Sequence, residues 1–322
     1  MSRLSNIRIL APLMALMILS GCTSKNQIAA ESELEMVSVR AAALAGSDVG
    51  TPAENEVKTL RLMIFKSNAA GDDLGRYYNI GQNGTAPMAV RLPRGYFKFV
   101  VVANEATKWA MENFKSYAEL KSQTINNYLA ITPPLVMYAE RTVNIVPGVN
   151  EVLMELERAN AKVTLNVTCN YQNANKKIIL DNAYISGMPR AMSLVPSVNS
   201  APADVNSATV YFTNLNTVYS ATEVHTINGG LVFYIPEYTV SVTGGTRSTL
   251  ILRCYKDGLP NPTIFYYVIL CDGMDQLYKS SSTPISNLTP AQLSISRNRH
   301  YKIDVQINTN NIAVLSSNIV VE

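Results

Sequence analysis

The chain has 322 residues, of which 47% are hydrophobic and 16% charged, and its formal net charge is +3. This composition argues against a largely disordered protein, and the length allows two domains or one large all-β unit. Two of the positive charges, Arg3 and Arg8, lie close to the N-terminus, and no basic run is longer than the pair Lys176-Lys177. Because the chain has no basic field that would attract phosphate, nucleic acid is not an expected partner.

Residues 1–21 are predicted to be a secretory signal peptide. A basic start is followed by an apolar run from about Ile9 to Leu19 and then by Ser20-Gly21-Cys22, which is too short for a membrane-spanning helix. The ending LSGC resembles the lipobox of bacterial lipoprotein precursors, in which the cysteine becomes the lipidated first residue. Cys22 is therefore the expected lipidation site and membrane anchor. The alternative is an ordinary signal peptide with a coincidental cysteine.

The next patterned segment is EMVSVRAAALAG, residues 35–46. Val37 and Val39 alternate with Ser38 and Arg40, as in a half-buried strand, and the alanines that begin at Ala41 end the pattern. The segment predicts a strand in an apparent tail, broken at a single arginine.

Beyond residue 55 the dominant apolar period is two. The segments are rich in β-branched and aromatic residues and are separated by turn-formers such as Gly-Gly, Pro-Asn and Asn-Asn, which predicts antiparallel β-sandwiches. The predicted strands cover residues 60–65, 96–103, 161–169, 177–186, 208–213, 231–242, 248–256, 263–271, 300–307 and 312–321.

One helix is predicted among the strands, from Glu105 to about Gln123. Its aromatic and apolar residues fall on roughly one face, and Asn104 precedes it as a possible cap. The apolar face is formed by Trp109, Phe114, Tyr117 and Leu120. We expect this helix to pack across a sheet as a lid on the first domain's core.

A domain boundary is predicted near residue 158. The run NEVLMELERANAKVTLNV passes from one strand directly into another through Glu157-Arg158-Ala159-Asn160, so the two domains are expected to be closely joined. The predicted units are a propeptide with the first strand at 22–40, an N-terminal sandwich at 41–158 and a C-terminal sandwich at 159–322.

The residues that enzymes and metal sites need are scarce. His225 and His300 are the only histidines, and both are expected at the surface or in turns, since neither has a ligand at i+3 or i+4. Asp72-Asp73 lacks the alternating oxygen ligands of a calcium loop. No nucleotide-binding or hydrolase motif is found. We therefore expect no enzyme activity, no cofactor and no metal.

The remaining cysteines and the tyrosines favour packing roles. Cys169, Cys254 and Cys271 lie in strand-like runs and are expected to be buried thiols. An aromatic cluster, Tyr234, Tyr238, Tyr266 and Tyr267, lies in neighbouring strands. Such rows more often form cross-strand pairs than a glycan site.

Four motifs, in their order along the chain, resemble the fimbrillin family, the subunits of lipoprotein-derived (type V) pili of Bacteroidetes-type bacteria. These are VKTLRLMIF (57–65), LPRGYFKFVVVANEATK (92–108), LERANAKVTLNV (156–167) and LSISRNRHYKIDVQI (293–307). The resemblance implies two tandem transthyretin-like, Ig-like β-sandwiches. It also implies a precursor that is lipidated, carried to the outer membrane and cut after an arginine, which removes the first strand of the N-terminal domain. A strand of another subunit then fills the groove that remains.

Arg40 is the position that matches the cleavage arginine, with Ala41 as the small residue after the cut. The displaced strand then carries Leu34, Met36, Val37 and Val39. The alternative is an exposed linker arginine. Arg61, Arg76 and Arg91 lie within or between core strands, where a cut would damage the fold.

The resemblance places the donor strand at the other end of the chain. The last segment carries Ile312, Val314 and Val320 on one side of a strand and Leu315, Ile319 and Val321 on the other. It can also be the domain's own last strand, which would suit a tip or accessory subunit that accepts a strand and gives none.

The expected function is that of a structural subunit of cell-surface fimbriae at the outer membrane, with other fimbrial subunits as partners in a homo- or hetero-polymer. A tip, accessory or lipid-anchored subunit is an alternative within the family. A monomeric surface lipoprotein that binds glycan or peptide is the alternative from another class.

Overall fold

The period-two segments form strands of two stacked-sheet units. The computed structural model describes residues 34–43, 51–106, 109–126, 132–148, 150–170, 177–188, 191–196, 208–211, 217–220, 231–240, 248–256, 263–273, 288–308 and 312–321. Within these ranges the chain is dominated by β-strands and carries one α-helix. The predicted fold class, all-β with tandem β-sandwiches, is confirmed.

The elements of the first half run from β1 to β8. They are β1 Leu34–Ala43, β2 Thr59–Ser67, β3 Asp73–Asn83, β4 Met88–Pro93, β5 Gly95–Ala103, a 3₁₀ turn Met111–Asn113, α1 Tyr117–Ser122, β6 Thr124–Asn126, β7 Met137–Ile145 and β8 Asn150–Arg158.

The second half contributes β9 to β18. They are β9 Asn160–Asn170, β10 Lys177–Met188, β11 Ala191–Ser193, β12 Ala208–Tyr211, β13 Thr217–Ser220, β14 Leu231–Pro236, β15 Thr249–Lys256, β16 Thr263–Ile269, β17 Arg299–Asn308 and β18 Ile312–Val321.

The N-terminal sandwich is one continuous sheet in the order β3-β2-β5-β7-β8-β1-β4. Strands β7 and β8 pair only where Met137 and Tyr138 meet Arg158 and Glu157, so the sheet divides there into two leaves. One leaf is β3-β2-β5-β7 and the other is β8-β1-β4. Side chains from both leaves, including Phe99 and Val152, form a single buried cluster, which we call the slot core.

The C-terminal sandwich stacks two separate sheets. One has the order β14-β9-β17-β18, and the other has the order β12-β10-β15-β16, with β13 also paired to β10. Side chains of both sheets, such as Leu165, Ile303 and Leu252, form one buried cluster. The ladders are antiparallel with two exceptions among the described strands, β1 with β8 and β9 with β17, which are parallel.

The predicted helix at 105–123 is wrong as a continuous helix, although its packing was anticipated. Trp109, Tyr117 and Leu120 are buried with Met63 and Val102 on the outer face of the β3-β2-β5-β7 leaf, as expected of a lid. The backbone, however, forms a 3₁₀ turn and the six-residue α1, separated by Phe114 in an extended conformation.

The carbonyl groups of the lid segment bond to β3 rather than to their own helix. The Arg76 guanidinium donates to the carbonyls of Glu112 and Phe114, and the Asn79 amide donates to the Met111 carbonyl at 2.9 Å. Ser116, and not Asn104, is the N-cap, since its side chain accepts from the Glu119 N–H.

Asn104 instead forms side-chain hydrogen bonds to the backbone of two other segments. It adopts the left-handed conformation, with φ of 56°. Its side chain accepts from the Lys58 N–H at 2.9 Å and donates to the carbonyls of Glu56 and Leu135. Each bond satisfies a backbone group that no ladder reaches, so Asn104 closes this end of the sandwich.

Two expectations about single residues have opposite outcomes. Cys254 and Cys271 are buried thiols outside any disulfide, which confirms the expectation for both, while the Cys169 side chain lies outside the described part of the chain. The surface or turn position expected for His300 is wrong, because it is buried in β17 with its Nε2 2.8 Å from the Thr164 hydroxyl. His225 lies outside the described residues.

Candidate functional site: the slot that holds β1

The first strand is held inside a sheet and not at its edge. Residues 34–39 pair antiparallel with β4, and residues 37–43 pair parallel with β8. We call the space between β4 and β8 the slot. Because β1 separates two other strands, removing it would leave two strand edges facing one another.

Of the residues predicted for the displaced strand, two face the core. Val37 and Val39 are 0% exposed and belong to the slot core, while Met36 is 50% exposed and Leu34 is half-buried. The strand also continues past Arg40, which the alanines did not predict. Ala41 is buried, and Ala42 and Ala43 extend the ladder with β8.

The Leu34 end of the slot is closed by Glu35. Its carboxylate accepts from the Gly148 N–H and from the Arg94 side chain, each at 3.0 Å. The hydrogen bond from the Gly148 backbone, followed by that from Arg94, lowers the pKa of Glu35 below its ordinary value. The carboxylate therefore stays ionised and holds the β7–β8 turn and the residue after β4 against β1.

Arg40 is the exposed residue at the opposite end of the doubly paired section. Its side chain is 61% exposed and forms an ion pair with Glu151 at 3.0 Å. An exposed pair of this kind contributes little to stability. The ladder with β4 ends at Val39, so the Arg40–Ala41 bond lies where β1 pairs with β8 alone.

The other arginines considered as cleavage sites are built into the first sandwich. The Arg61 side chain in β2 is 12% exposed and is paired with Glu105 at 2.6 Å. Arg76 in β3 holds the lid segment, and Arg91 lies in β4 opposite Met36. Cutting after any of them would interrupt a strand that covers the core.

A shallow groove of about 550 Å³ runs beside the last residues of β1. Residues 40–43 form one wall, residues 153–155 of β8 lie beneath, and Asn55, Val57, Thr85 and Pro87 complete the lining. Thr85 and Pro87 directly precede β4, so the groove lies where the ladder between β1 and β4 has ended. The edge of Arg40–Ala43 that faces away from β8 has no ladder partner among the described strands.

The segment that follows β1 is fixed to the second sandwich. Glu54 is buried and bonds to Lys162 of β9 at 3.0 Å and to the Tyr234 hydroxyl of β14. Burial disfavours the charged form of Glu54, but the hydrogen bonds from Tyr234, Lys162 and the Thr51 N–H outweigh it and lower the pKa.

A second set of contacts joins the two sandwiches at the predicted boundary. Arg158 is buried and bonds to Asn55 at 2.8 Å and to the side chain of Asn298. The buried Arg297 donates to the carbonyls of Ser193 and Leu194. The motifs LERANAKVTLNV and LSISRNRHYKIDVQI thus meet at this joint. Whether residues 41–158 and 159–322 fold as separate domains stays a prediction.

The candidate donor segment is paired within its own sheet. β18 pairs antiparallel with β17 along its length, with a register shift at Leu315. On either side of that shift, Val314 pairs with Val305 and Ile319 pairs with Tyr301. The two-sided arrangement of side chains predicted for this segment stays a prediction. The side chains of 312–321 lie outside the described part of the chain.

Several other residues with a predicted role are described only in part or not at all. Cys22 and the signal peptide lie outside the described residues, as do the side chains of Tyr266 and Tyr267. Tyr238 is buried, and its hydroxyl accepts from the Ser248 N–H at 2.8 Å. Neither Tyr238 nor Tyr234, which bonds to Glu54, is available for an exposed aromatic row.

The described ranges contain neither a cluster of metal-binding side chains nor a membrane-spanning helix. No group of three or more His, Cys, Asp or Glu side chains within them is placed to hold a metal ion. Among the same residues, no helix has both the length and the apolar character needed to cross a bilayer.

The fold and the slot define a tandem β-sandwich protein whose first strand fills a gap between two others. Residues 31–178 match the family of the major fimbrial subunit protein (FimA). Over this region the chain is similar to that family of fimbrial subunits, which confirms the resemblance drawn from the sequence. A comparison with curated proteins gave no match.

Solved structures share the fold along nearly the whole chain. The tip fimbrial protein Mfa3 of Porphyromonas gingivalis, with a C-terminal truncation, aligns with a TM-score of 0.59 at 17% identity, over 90% of this chain and 100% of that one. A fimbrilin (FimA) of the same species aligns at 0.55 and 16%, over 88% and 96%. A candidate cell adhesion protein of Parabacteroides distasonis aligns at 0.61 and 13%, over 90% and 96%.

Proposed function

We propose that this protein is a structural subunit of cell-surface fimbriae that is exported as a lipoprotein on Cys22 and reaches the outer membrane. It is then cut after Arg40 and polymerises with other fimbrial subunits by strand exchange. The observation that carries the proposal is the position of β1. It fills a slot between two strands and ends its doubly paired section directly before an exposed arginine.

Removal of β1 changes the subunit in a way that another strand can reverse. The backbone edges of Met88–Pro93 and of residues 150–156 lose their partners, and apolar side chains such as Leu92 and Val152 lose their cover. Unpaired edges and uncovered apolar side chains both favour the addition of an extended strand. Cleavage and assembly are coupled because the same slot is emptied and filled.

The geometry at Arg40 suits a protease. The side chain is exposed, its ion pair with Glu151 is weak, and residues 40–43 pair on one side only. Proteolysis requires local opening of the chain, which costs least where few backbone hydrogen bonds must break. The propeptide therefore comprises residues 22–40, and the mature chain begins at Ala41.

The N-terminus of the protein at the cell surface tests this maturation. We expect wild-type surface material to begin at Ala41 and an Arg40→Ala variant to accumulate uncut. The matched control is Arg91→Ala, an exposed arginine of the neighbouring strand β4, which should be processed normally. Mature material that begins at an acylated Cys22 would contradict the proposal in favour of a lipid-anchored subunit.

A tip or accessory subunit is the second candidate, favoured by the pairing of β18 with β17. A strand that completes its own sheet must leave that sheet before it can fill another subunit's slot. In a subunit that only accepts a strand, β18 would remain where it is.

A reversible disulfide between β17 and β18 distinguishes a strand-donating subunit from one that only accepts a strand. Lys302 and Asn318 are directly opposite in the β17–β18 ladder, a spacing compatible with an engineered disulfide after Lys302→Cys and Asn318→Cys. If β18 is the donor, the oxidised variant should not polymerise and the reduced form of the same protein should. Equal polymerisation of both forms would assign the donor role to another segment and favour the accepting subunit.

A further inference from the structure

β1 is held unequally along its length. Its first residues pair with β4 and are fastened by Glu35, its middle residues 37–39 pair on both sides, and residues 40–43 pair with β8 alone. Among the described strands, both ends of β1 therefore pair on one side only, but the Leu34 end is also fastened by the hydrogen bonds of Glu35 to Arg94 and Gly148. Strands open most readily where the ladder is single.

The buried side chains hold the middle of β1 more strongly than the residues beyond Arg40. Val37 and Val39 are fully buried, whereas the inward residues beyond Arg40 are Ala41 and Ala43. A valine buries two more carbon atoms than an alanine, so each valine is held more strongly by the hydrophobic effect. The inward side chains beyond Arg40 therefore contribute less than Val37 and Val39 to holding the strand in place.

The open groove lies beside this weakly held segment. It is lined by Val57, Thr85 and Pro87 together with Arg40–Ala43, whose edge away from β8 has no ladder partner among the described strands. A backbone edge next to a mostly apolar wall matches one kind of occupant, an extended polypeptide that adds to the edge. At the Leu34 end, by contrast, Glu35 bonds to Arg94 and to the Gly148 N–H and fastens β1 to the residues beside it.

We propose that strand exchange starts in this groove: an extended strand of a second copy of this chain docks beside Ala41–Ala43 and then displaces β1 in the direction of Leu34. The inference rests on the proposed function. It adds that cutting after Arg40 does not by itself empty the slot, because residues 37–39 remain paired on both sides. The cut instead frees the weakly held end, and the incoming strand removes the rest in steps.

A peptide-exchange assay tests the direction of displacement. The protein is cut after Arg40, the retained propeptide is confirmed by mass, and a fluorescent peptide of residues 34–43 is added as the probe. Thr85→Trp fills the groove from an exposed position, and Thr85→Arg is a second blocking variant. The matched control is Asn83→Trp, which is exposed at the end of β3 and outside the groove lining.

We expect both Thr85 variants to slow exchange of the peptide by about tenfold, because the docked strand loses its high effective concentration next to the slot. Asn83→Trp should exchange at the wild-type rate. Cleavage at Arg40 should proceed in all variants, and polymerisation of the cut protein should slow in parallel with peptide exchange.

The outcomes separate the inference from the proposed function. Equal exchange rates in Thr85→Trp and Asn83→Trp would overturn the groove as the starting point while leaving strand exchange intact. Faster exchange in Glu35→Ala, with no effect of the Thr85 variants, would place the start at the Leu34 end. Slower peptide exchange with unchanged polymerisation would overturn the second copy as occupant. No exchange with any peptide would overturn both proposals.

Discussion

Val39→Ala measures how strongly the slot holds β1. Val39 is fully buried in the slot core and lies between Met88 of β4 and Val152 of β8. Two carbon atoms are lost at about 0.8 kcal/mol each, and the cavity left behind raises the total to about 2–3 kcal/mol. Ser38→Ala, at the half-buried neighbouring position of the same ladder, is the matched control.

Two assays report this energy. In the uncut protein, denaturant unfolding should show the lower stability of Val39→Ala, with a change near zero for Ser38→Ala. In protein cut after Arg40, the propeptide should dissociate from Val39→Ala with a Kd raised about 30-fold, since 1.4 kcal/mol corresponds to a factor of ten. Retention is measured by separating the bound and free propeptide after dilution.

The comparison of the two proteins can refute the reasoning. If Val39→Ala lowers the stability of the uncut protein but leaves retention of the propeptide unchanged, β1 is not held through its buried side chains after the cut. If Ser38→Ala has the same effect as Val39→Ala, the ladder and not the core determines retention.

Three further predictions concern the slot, the joint and the second core. Ser38 and Ala89 lie opposite one another in the β1–β4 ladder. A disulfide formed after Ser38→Cys and Ala89→Cys should block polymerisation of the cut protein, and a reductant should restore it. Polymers that form under oxidising conditions would contradict displacement of β1. The pKa of Glu54 lies below its ordinary value of 4.5. Its contribution to the folding free energy is therefore present above pH 4.5 and is lost as the pH falls through the folded-state pKa. Glu54→Gln should lower the melting temperature at neutral pH, and the difference from wild type should shrink in acid. Tyr238→Phe leaves the buried Ser248 N–H without its 2.8 Å partner and should cost about 1–3 kcal/mol in denaturant unfolding; wild-type stability would show that another group replaces the hydroxyl.

The strands rich in buried apolar residues could be predicted, because burial leaves a local pattern in the sequence. β9 and β17 bury one face, β2 and β5 bury side chains on both faces, and all four were found within two residues of their observed ends. β3 was not predicted. It is an edge strand whose exposed and half-buried residues do not alternate, and its ladder with β2 is interrupted by register shifts. No period-two signal remains in such a strand.

For the lid segment, the sequence correctly predicts which side chains are buried but not the backbone conformation. The spacing of Trp109, Tyr117 and Leu120 correctly placed them on one buried cluster. It did not reveal that Arg76 and Asn79 of β3 bond to the carbonyls of the segment and replace helical hydrogen bonds. Contacts between residues more than thirty positions apart leave no local pattern in a sequence.

The slot was predicted only in part for a related reason. The alternation of Val37 and Val39 correctly indicated a strand, but a strand's partners on either side cannot be read from its own residues. The position between β4 and β8, the closure by Glu35 and the groove beside Ala41–Ala43 all depend on segments distant in the chain. The resemblance to the family implies cleavage after Arg40, and the proposal is supported by the exposed side chain of Arg40 and by the end of the β4 ladder at Val39.

The distribution of the cores supports the proposal that a subunit keeps its fold when β1 is removed. The described part of the chain has three buried apolar clusters, and residues of β1 belong to the slot core alone. The lid cluster, the second sandwich and the joint at Glu54 and Arg158 contain no side chain of β1. A cut subunit therefore keeps most of its packing and its joint, while one slot is left short of apolar contacts. Apolar contacts missing from a space of one strand's width are best replaced by one strand, which supports the proposed strand exchange.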